Sequence, residues 1–244
     1  MNHAFFIVCR MTEDSDEARF GNPGKVEKKP VIETLKWNLA GLRKHHPESK
    51  VYIIDSNSPN QTYHLEVEEE FNVKVDYAKN NNYTVGAIKH AYENYPDIEF
   101  YYFLQDSQRV NGDLSDLMNH EISTCSYFNS HKGIHRSRPG REFGFDRQEN
   151  IDDGDRWLKE RTKIKDGIPE IFTGCWGSIM YCRRSVLEKL DSIGYFNLLP
   201  ENKHHDHMLE RLTGVCLEYL GYDLKKSSLK SDRNRILKKF RART

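Results

Sequence analysis

The chain has 244 residues, of which 37% are hydrophobic and 30% charged, and its 37 Lys or Arg balance 37 Asp or Glu. That size and composition suit one large α/β unit with a heavily solvated surface, and the zero net charge gives no reason to expect nucleic acid as a partner. The five cysteines (Cys9, Cys125, Cys175, Cys182, Cys216) contain no C-x-x-C pair, which argues against a disulfide framework and a zinc ribbon and for reduced thiols in a cytoplasmic protein.

The first element is a short apolar run, Phe5-Phe6-Ile7-Val8-Cys9, too short for a signal-peptide core and suited to a buried strand. No apolar stretch approaches the length of a membrane span. A polar loop covers residues 11–30. Val31, Leu35, Leu39 and Leu42 then recur at helical spacing up to Pro47. Val51-Tyr-Ile-Ile-Asp55 reads as a second strand, closed by the turn signal Ser-Asn-Ser-Pro. Residues 62–71 form an acidic helix, Val73 to Tyr77 a third strand, and Thr84 is the expected cap of a helix running to about Asn94. The run Phe100-Tyr-Tyr-Phe-Leu-Gln105 is a fourth strand, apolar enough to be buried on both faces. This β-α-β-α-β-α-β order predicts a mostly parallel sheet with right-handed crossovers.

The second half is less regular. Residues 129–170 show little periodicity and read as a long functional loop. A strand from Ser178 to Cys182, a helix from Ser185 to about Ile193 and a helix from about Asp206, ended by Gly221, follow. From Lys225 onward nine Lys or Arg face one Asp, which suits a short basic amphipathic helix. Such a tail either packs Ile236, Leu237 and Phe240 onto the domain or docks on an anionic surface. The division expected is one domain over residues 1–224, in two halves (1–110 and 111–224), with a basic tail (225–244).

Several polar residues fall where such a sheet places its ligands, beyond the carboxyl ends of the strands. Asp55 ends the second strand and suits a ribose or nucleobase contact, or an Asx-turn. Asn80-Asn-Asn82 leads into a helix whose Gly86 allows close backbone approach, without the pattern of a P-loop. Gln105-Asp106-Ser107 follows the aromatic strand. Phe172-Thr-Gly174-Cys-Trp176-Gly177 offers small residues and an aromatic for a sugar floor. Glu201-Asn-Lys-His-His205-Asp206-His207 gathers three imidazoles and an acid before an amphipathic helix, where Asp206 is either a general base or a helix cap.

This ordered set resembles a GT-A-type glycosyltransferase of the nucleotide-diphospho-sugar transferase superfamily, over residues 4 to 223. The resemblance implies a single Rossmann-like domain and transfer of a sugar from a nucleotide-diphosphate donor to an acceptor hydroxyl. Asp206 would be the base of an inverting reaction. Arg10, Asp55, Asn80, Asn82, Gly86, Gln105 and Asp106 would hold the donor, and Gly174, Trp176 and His205 would face the sugar or acceptor. A divalent cation, Mn²⁺ or Mg²⁺, would use Asp106 and His207, because the D-x-D position of the family keeps only one carboxylate here. Tyr83 and Trp157 are further candidates to stack on sugars. The Arg-rich stretch from Arg136 to Arg161 would suit a phosphorylated or lipid-linked acceptor, and the tail a peripheral contact with the cytoplasmic membrane face. A nucleotidyltransferase shares a similar sheet but wants a Gly-rich loop after the first strand. A non-catalytic carbohydrate- or membrane-binding module would explain the sparse D-x-D.

Overall fold

A computed structural model of the chain describes residues 1–9, 31–58, 61–80, 82–106, 108–125, 127–131, 148–200, 203–226 and 237–239. The elements run β1 (His3–Cys9), α1 (Val31–His45), β2 (Lys50–Asp55), α2 (Tyr63–Phe71), β3 (Lys74–Tyr77), α3 (Tyr83–Asn94), β4 (Phe100–Gln105), β5 (Gln108–Val110), β6 (Ile122–Thr124), β7 (Tyr127–His131), α4 (Gln148–Arg161), β8 (Ile171–Cys175), β9 (Met180–Arg183), α5 (Arg184–Ser192), α6 (Lys203–Tyr219) and β10 (Leu237–Lys239).

The central sheet has six strands in the order β3-β2-β1-β4-β9-β6. The pairs β2/β3, β1/β2 and β1/β4 are parallel, whereas β9 runs antiparallel to both β4 and β6. The middle of the sheet is where the sequence is most apolar. Residues 4–9 of β1 and 100–104 of β4 are buried without interruption, which only a strand covered on both faces tolerates. Their aromatics interlock across the strands: Phe5 stacks on Tyr102 at 4.3 Å between ring centroids and Phe6 on Tyr101 at 5.3 Å. Strands from both expected halves share this sheet, since β4 pairs with β9.

The register aligns the strand ends. Cys9 lies opposite Asp55, and Val8 opposite Gln105, so Asp55 and Asp106 leave the sheet on the same edge. The chain starts in mid-sheet, builds outward to β3, and returns to the other side of β1 with β4. The strand order therefore reverses between β1 and β4, and such a switch point is where open α/β sheets place a ligand crevice, at the carboxyl edge.

The structure departs from the sequence expectations in the second half. The stretch 129–170 is not one long loop: β7 pairs antiparallel with β8, and α4 occupies Gln148–Arg161. That helix escapes notice because its buried stripe is narrow, resting on Trp157 and Leu158 within a largely charged sequence. α3 starts at Tyr83 with Asn82 in the cap position, so Thr84 sits inside the first turn. α6 starts at Lys203, which places Asp206 in the first turn rather than before it. Gly221 closes α6 at φ +88°, with the Tyr222 N–H bonded to the Leu217 carbonyl in a Schellman closure. In the tail, Leu237–Lys239 form a strand instead of a helix, with Leu237 opposite Val110 and Lys239 opposite Gln108. An edge strand left by β5 offers unpaired backbone groups, and the tail supplies them with partners.

Candidate functional site

The floor of the crevice is the end of β4. The Asp106 N–H donates to the Val8 carbonyl at 3.1 Å, extending the parallel ladder one residue past the strand. Its side chain is enclosed, 2% exposed. The turn beyond is held by side chains: Gln108 Oε1 accepts from the Gln105 N–H at 2.8 Å, and Asn38 of α1 donates its amide to the Gln105 carbonyl at 3.1 Å. The Gln105 side chain reaches toward the β8–β9 turn, where a Cβ built on Gly177 would lie 2.8 Å from its Nε2. Gly177 has φ +65°, so both its backbone and its neighbour require glycine.

That turn ties the crevice to α6. The Gly177 N–H donates to Glu210 Oε1 at 2.9 Å, and Ser178 is bonded through the Thr213 hydroxyl at 3.0 Å. Asp206 lies one helical turn before Glu210, on the same face of α6 and nearer its N-terminal end. From the other side, Asn82 donates its amide to the Pro200 carbonyl at 2.7 Å, drawing the segment before α6 against the start of α3. Asn80 Oδ1 accepts the Asn82 N–H at 3.0 Å, and a Cβ on Gly86 would lie 2.7 Å from that oxygen. The asparagine amides thus build the loop. Asp55, Asn80, Asn82, Gly86, Gln105, Asp106 and Asp206 all belong to this one edge.

The backbone is strained along it. Asn57, Lys79, Tyr83 and Ser178 have φ between 48° and 55°; Tyr83 heads α3 and the other three sit in loops at the carboxyl edge of the sheet. Non-glycine residues held in this region cost about 1–3 kcal/mol each and persist where packing fixes them, often at ligand sites.

Asp55 is fully buried, and its carboxylate is surrounded by donors. Oδ1 accepts the Ser58 N–H at 2.7 Å, while Oδ2 accepts the Tyr63 hydroxyl at 2.5 Å and His64 Nε2 at 3.0 Å. The Asx-turn reading of Asp55 describes this geometry. Burial by itself raises the Asp55 pKa, but the Ser58, Tyr63 and His64 hydrogen bonds outweigh it and hold the group below the ordinary carboxylate range. His64 Nδ1 bonds in turn to the Tyr77 hydroxyl. Tyr77 is 37% exposed and lines a cavity of about 300 Å³ with Asn57, Gln61 and Lys79. Neither His64 nor Tyr77 carried a motif in the sequence, and only the position of Tyr77 at a strand end pointed here.

The expected sugar-contacting residues divide. Trp176 is 42% exposed beside the crevice. Gly174 is covered: a Cβ there would collide with the Phe128 ring from the facing strand β7, so the floor at this point is Phe128. The Phe128 ring carries Trp176 edge-on at 6.1 Å and the Arg211 guanidinium at 5.2 Å. His205 packs edge-on against Trp157 at 4.2 Å, and Arg161 lies over the same indole at 4.4 Å. Trp157 is therefore a buried link between α4 and α6, not a sugar platform. Arg10 and Arg136 lie outside the described residues. Among the described residues no group of three or more His, Cys, Asp or Glu is arranged to hold a metal ion, and Asp106 and His207 belong to no such group. No described helix is long and apolar enough to cross a membrane.

No protein-family model matches the chain, and no curated protein matches it. It is similar to solved structures at low identity. S. aureus TarS 1–349 is 14% identical with a TM-score of 0.44, over 87% of this chain and 56% of that one. The same TarS fragment in complex with UDP-GlcNAc is 14% identical with a TM-score of 0.40, over 81% and 52%. A cytidylyltransferase from Leptospira borgpetersenii is 14% identical with a TM-score of 0.45, over 93% of this chain and 74% of that one. The chain spans about half the length of the TarS fragment. With every TM-score below 0.5, these overlaps assign neither family nor activity.

Proposed function

We propose that the chain is a nucleotide-sugar-dependent glycosyltransferase whose donor lies along the carboxyl edge from the Tyr77 cavity to Asp106. The observation that carries this reading is the switch point between β1 and β4, with Gln105 and Asp106 at its base. The nucleobase occupies the cavity of Asn57, Gln61, Tyr77 and Lys79, whose volume is at the small end of ligand pockets. The diphosphate spans β1 toward Asp106, and the sugar lies between Gln105 and Trp176.

The acceptor hydroxyl approaches from the start of α6, where Asp206 takes its proton. The acceptor oxygen attacks the anomeric carbon, the bond from that carbon to the diphosphate oxygen breaks, and the diphosphate leaves with the bonding electrons. That displacement inverts the anomeric centre. The described residues fit a self-contained metal site poorly, so a Mn²⁺ or Mg²⁺ ion is proposed only as a companion of the donor's diphosphate, with Asp106 as the nearest carboxylate. A phosphorylated or lipid-linked acceptor, on the charge of the stretch from Arg136 to Arg161, and a cytoplasmic, membrane-peripheral location, on the charge of residues 225–244, belong to the same proposal.

The test is calorimetry and thermal unfolding with UDP-, GDP-, CMP- and dTDP-sugars, with Mn²⁺ and with EDTA, on wild type and Asp106→Ala. Binding of one nucleotide class at 100 times its dissociation constant stabilises the fold by about 2.7 kcal/mol, and the shift should be lost in the variant. Silence with every donor refutes the reading and leaves the non-catalytic module. Release of pyrophosphate from a nucleoside triphosphate plus a sugar phosphate would instead identify a nucleotidyltransferase.

A further inference from the structure

Asp55, His64 and Tyr77 form a hydrogen-bonded chain that runs from the interior of the sheet to the wall of the cavity. With the imidazole neutral, elementary valence fixes its direction. An ionised carboxylate only accepts, so the proton in the 3.0 Å contact between His64 Nε2 and Asp55 Oδ2 belongs to the imidazole. In a neutral imidazole with Nε2 protonated, Nδ1 is an acceptor, and the Tyr77 hydroxyl must donate to it. The phenol's one proton then points inward, and the lone pairs of its oxygen are what it presents to the cavity. Two conditions hold the arrangement in place. Donors to Asp55 keep that carboxylate ionised, and burial, with the nearby charges of Asp55 and Glu68, raises the Tyr77 pKa and keeps the phenol protonated.

Building on the donor site proposed above, we infer that Tyr77 is a specificity-determining residue that reads a ring N–H, so that the cavity takes lactam or imide nucleobases (uracil, thymine or guanine) and rejects cytosine and adenine. Uracil and guanine carry a proton on the ring nitrogen of the pairing edge, which can donate to the Tyr77 oxygen. Cytosine and adenine carry a bare lone pair there, which faces the lone pairs of Tyr77. Lys79 lines the same cavity, but its ammonium donors can pair with a carbonyl of uracil or guanine, with the O2 carbonyl of cytosine or with a ring nitrogen of adenine, so the choice rests on Tyr77. The amides of Asn57 and Gln61 have both polarities and suit either set. His64 acts through Tyr77 and is a positioning residue.

Two matched pairs test this on the full chain: UDP against CDP, and GDP against ADP, titrated by calorimetry at pH 8 into wild type and Tyr77→Phe. Members of each pair share charge and differ in the polarity of the pairing edge; UDP and CDP also match in size, whereas guanine carries a C2 amino group that adenine lacks. The lactam member of any pair that binds should be favoured by about tenfold, the scale of one hydrogen bond made against one refused. In Tyr77→Phe, whose ring stays in place, the ratio should fall to about one, with thermal unfolding confirming that the variant is folded. Equal affinity within a pair, or a preference that survives in Tyr77→Phe, overturns the inference and leaves the donor site standing. Failure of all four nucleotides to bind overturns the donor site itself.

Discussion

Replacing Asp55 by alanine removes the one acceptor on which three donors converge: the Ser58 N–H at 2.7 Å, the Tyr63 hydroxyl at 2.5 Å and His64 Nε2 at 3.0 Å. All three donor residues are buried, so water cannot simply take the place of the carboxylate. At roughly 1–1.5 kcal/mol for each donor left unpaired, the loss is about 3–5 kcal/mol. A domain of this kind holds about 5–15 kcal/mol in total, so the variant should fold but sit near the margin. Urea denaturation followed by tryptophan fluorescence measures it: with a slope of about 2–3 kcal/mol/M the midpoint should fall by roughly 1–2 M at constant slope. Asp55→Asn is the companion. Its remaining oxygen can keep the Ser58 contact, so its cost should be smaller, about 1–2 kcal/mol. It no longer obliges His64 to protonate Nε2, so the UDP/CDP ratio should also drop. An Asp55→Ala loss under about 1 kcal/mol would refute the reasoning, because it would mean that the buried donors find other partners at no cost.

The same carboxylate gives a pH signature. Its folded pKa is lowered, so its stabilisation is present above the unfolded value of about 3.9 and is lost as pH falls through the folded pKa. The stability gap between wild type and Asp55→Asn should stay flat from pH 8 to 5 and narrow below about pH 4 in acid titration by circular dichroism. Gly177→Ala forces a Cβ onto a residue at φ +65° and against Gln105, at a cost of about 1–3 kcal/mol; thermal unfolding reads the cost and calorimetry a weakened donor. Asp206→Asn should lower turnover by about 10²–10⁴ while donor binding persists, and an unchanged rate would remove Asp206 as the base. Proline at Leu237 breaks the pairing with Val110, and protease cleavage of the tail should accelerate without loss of the six-stranded sheet.

The first half of the fold was legible because its signals are long and local. Six consecutive buried residues in β1 and five in β4 leave little choice but a double-covered strand, and each is bounded by a turn residue or a crossover helix. The second half was not legible for two reasons. α4 carries its apolar stripe on few residues, and the strand β10 exists only because β5, 127 positions earlier in the chain, offers an edge. A three-residue strand has no periodicity of its own, and the basic residues around it read more readily as a helix. Gly174 misled in a similar way. Small residues in a strand suggest space for a ligand, but the space beside Gly174 is filled by Phe128, which reaches it only through the pairing of β7 with β8.

For the site, the sequence located an edge and the structure decided what each group on it does. A carboxylate at a strand end is visible in any α/β sequence, and Asp55, Gln105 and Asp106 stood out for that reason. What the sequence could not contain is the direction in which a side chain spends its hydrogen bonds. Asn80 and Asn82 have the chemistry of ribose ligands and use it on the loop and on Pro200. His64 lies in the first turn of α2, on a stretch otherwise read as solvated and acidic, and Tyr77 ends a short strand that pairs with β2 alone among the described strands. Their meeting depends on the β2–α2–β3 crossover, which returns the chain beside Asp55 with the helix above it. Tyr77 lies opposite Asp55 in the parallel register, so the imidazole has the carboxylate on one side and the phenol on the other. A crossover of different length would turn His64 away and leave Tyr77 free to donate. The base preference is therefore a property of the packing of α2 on that edge, and it should be lost by any substitution that shifts α2 even when every cavity residue is kept.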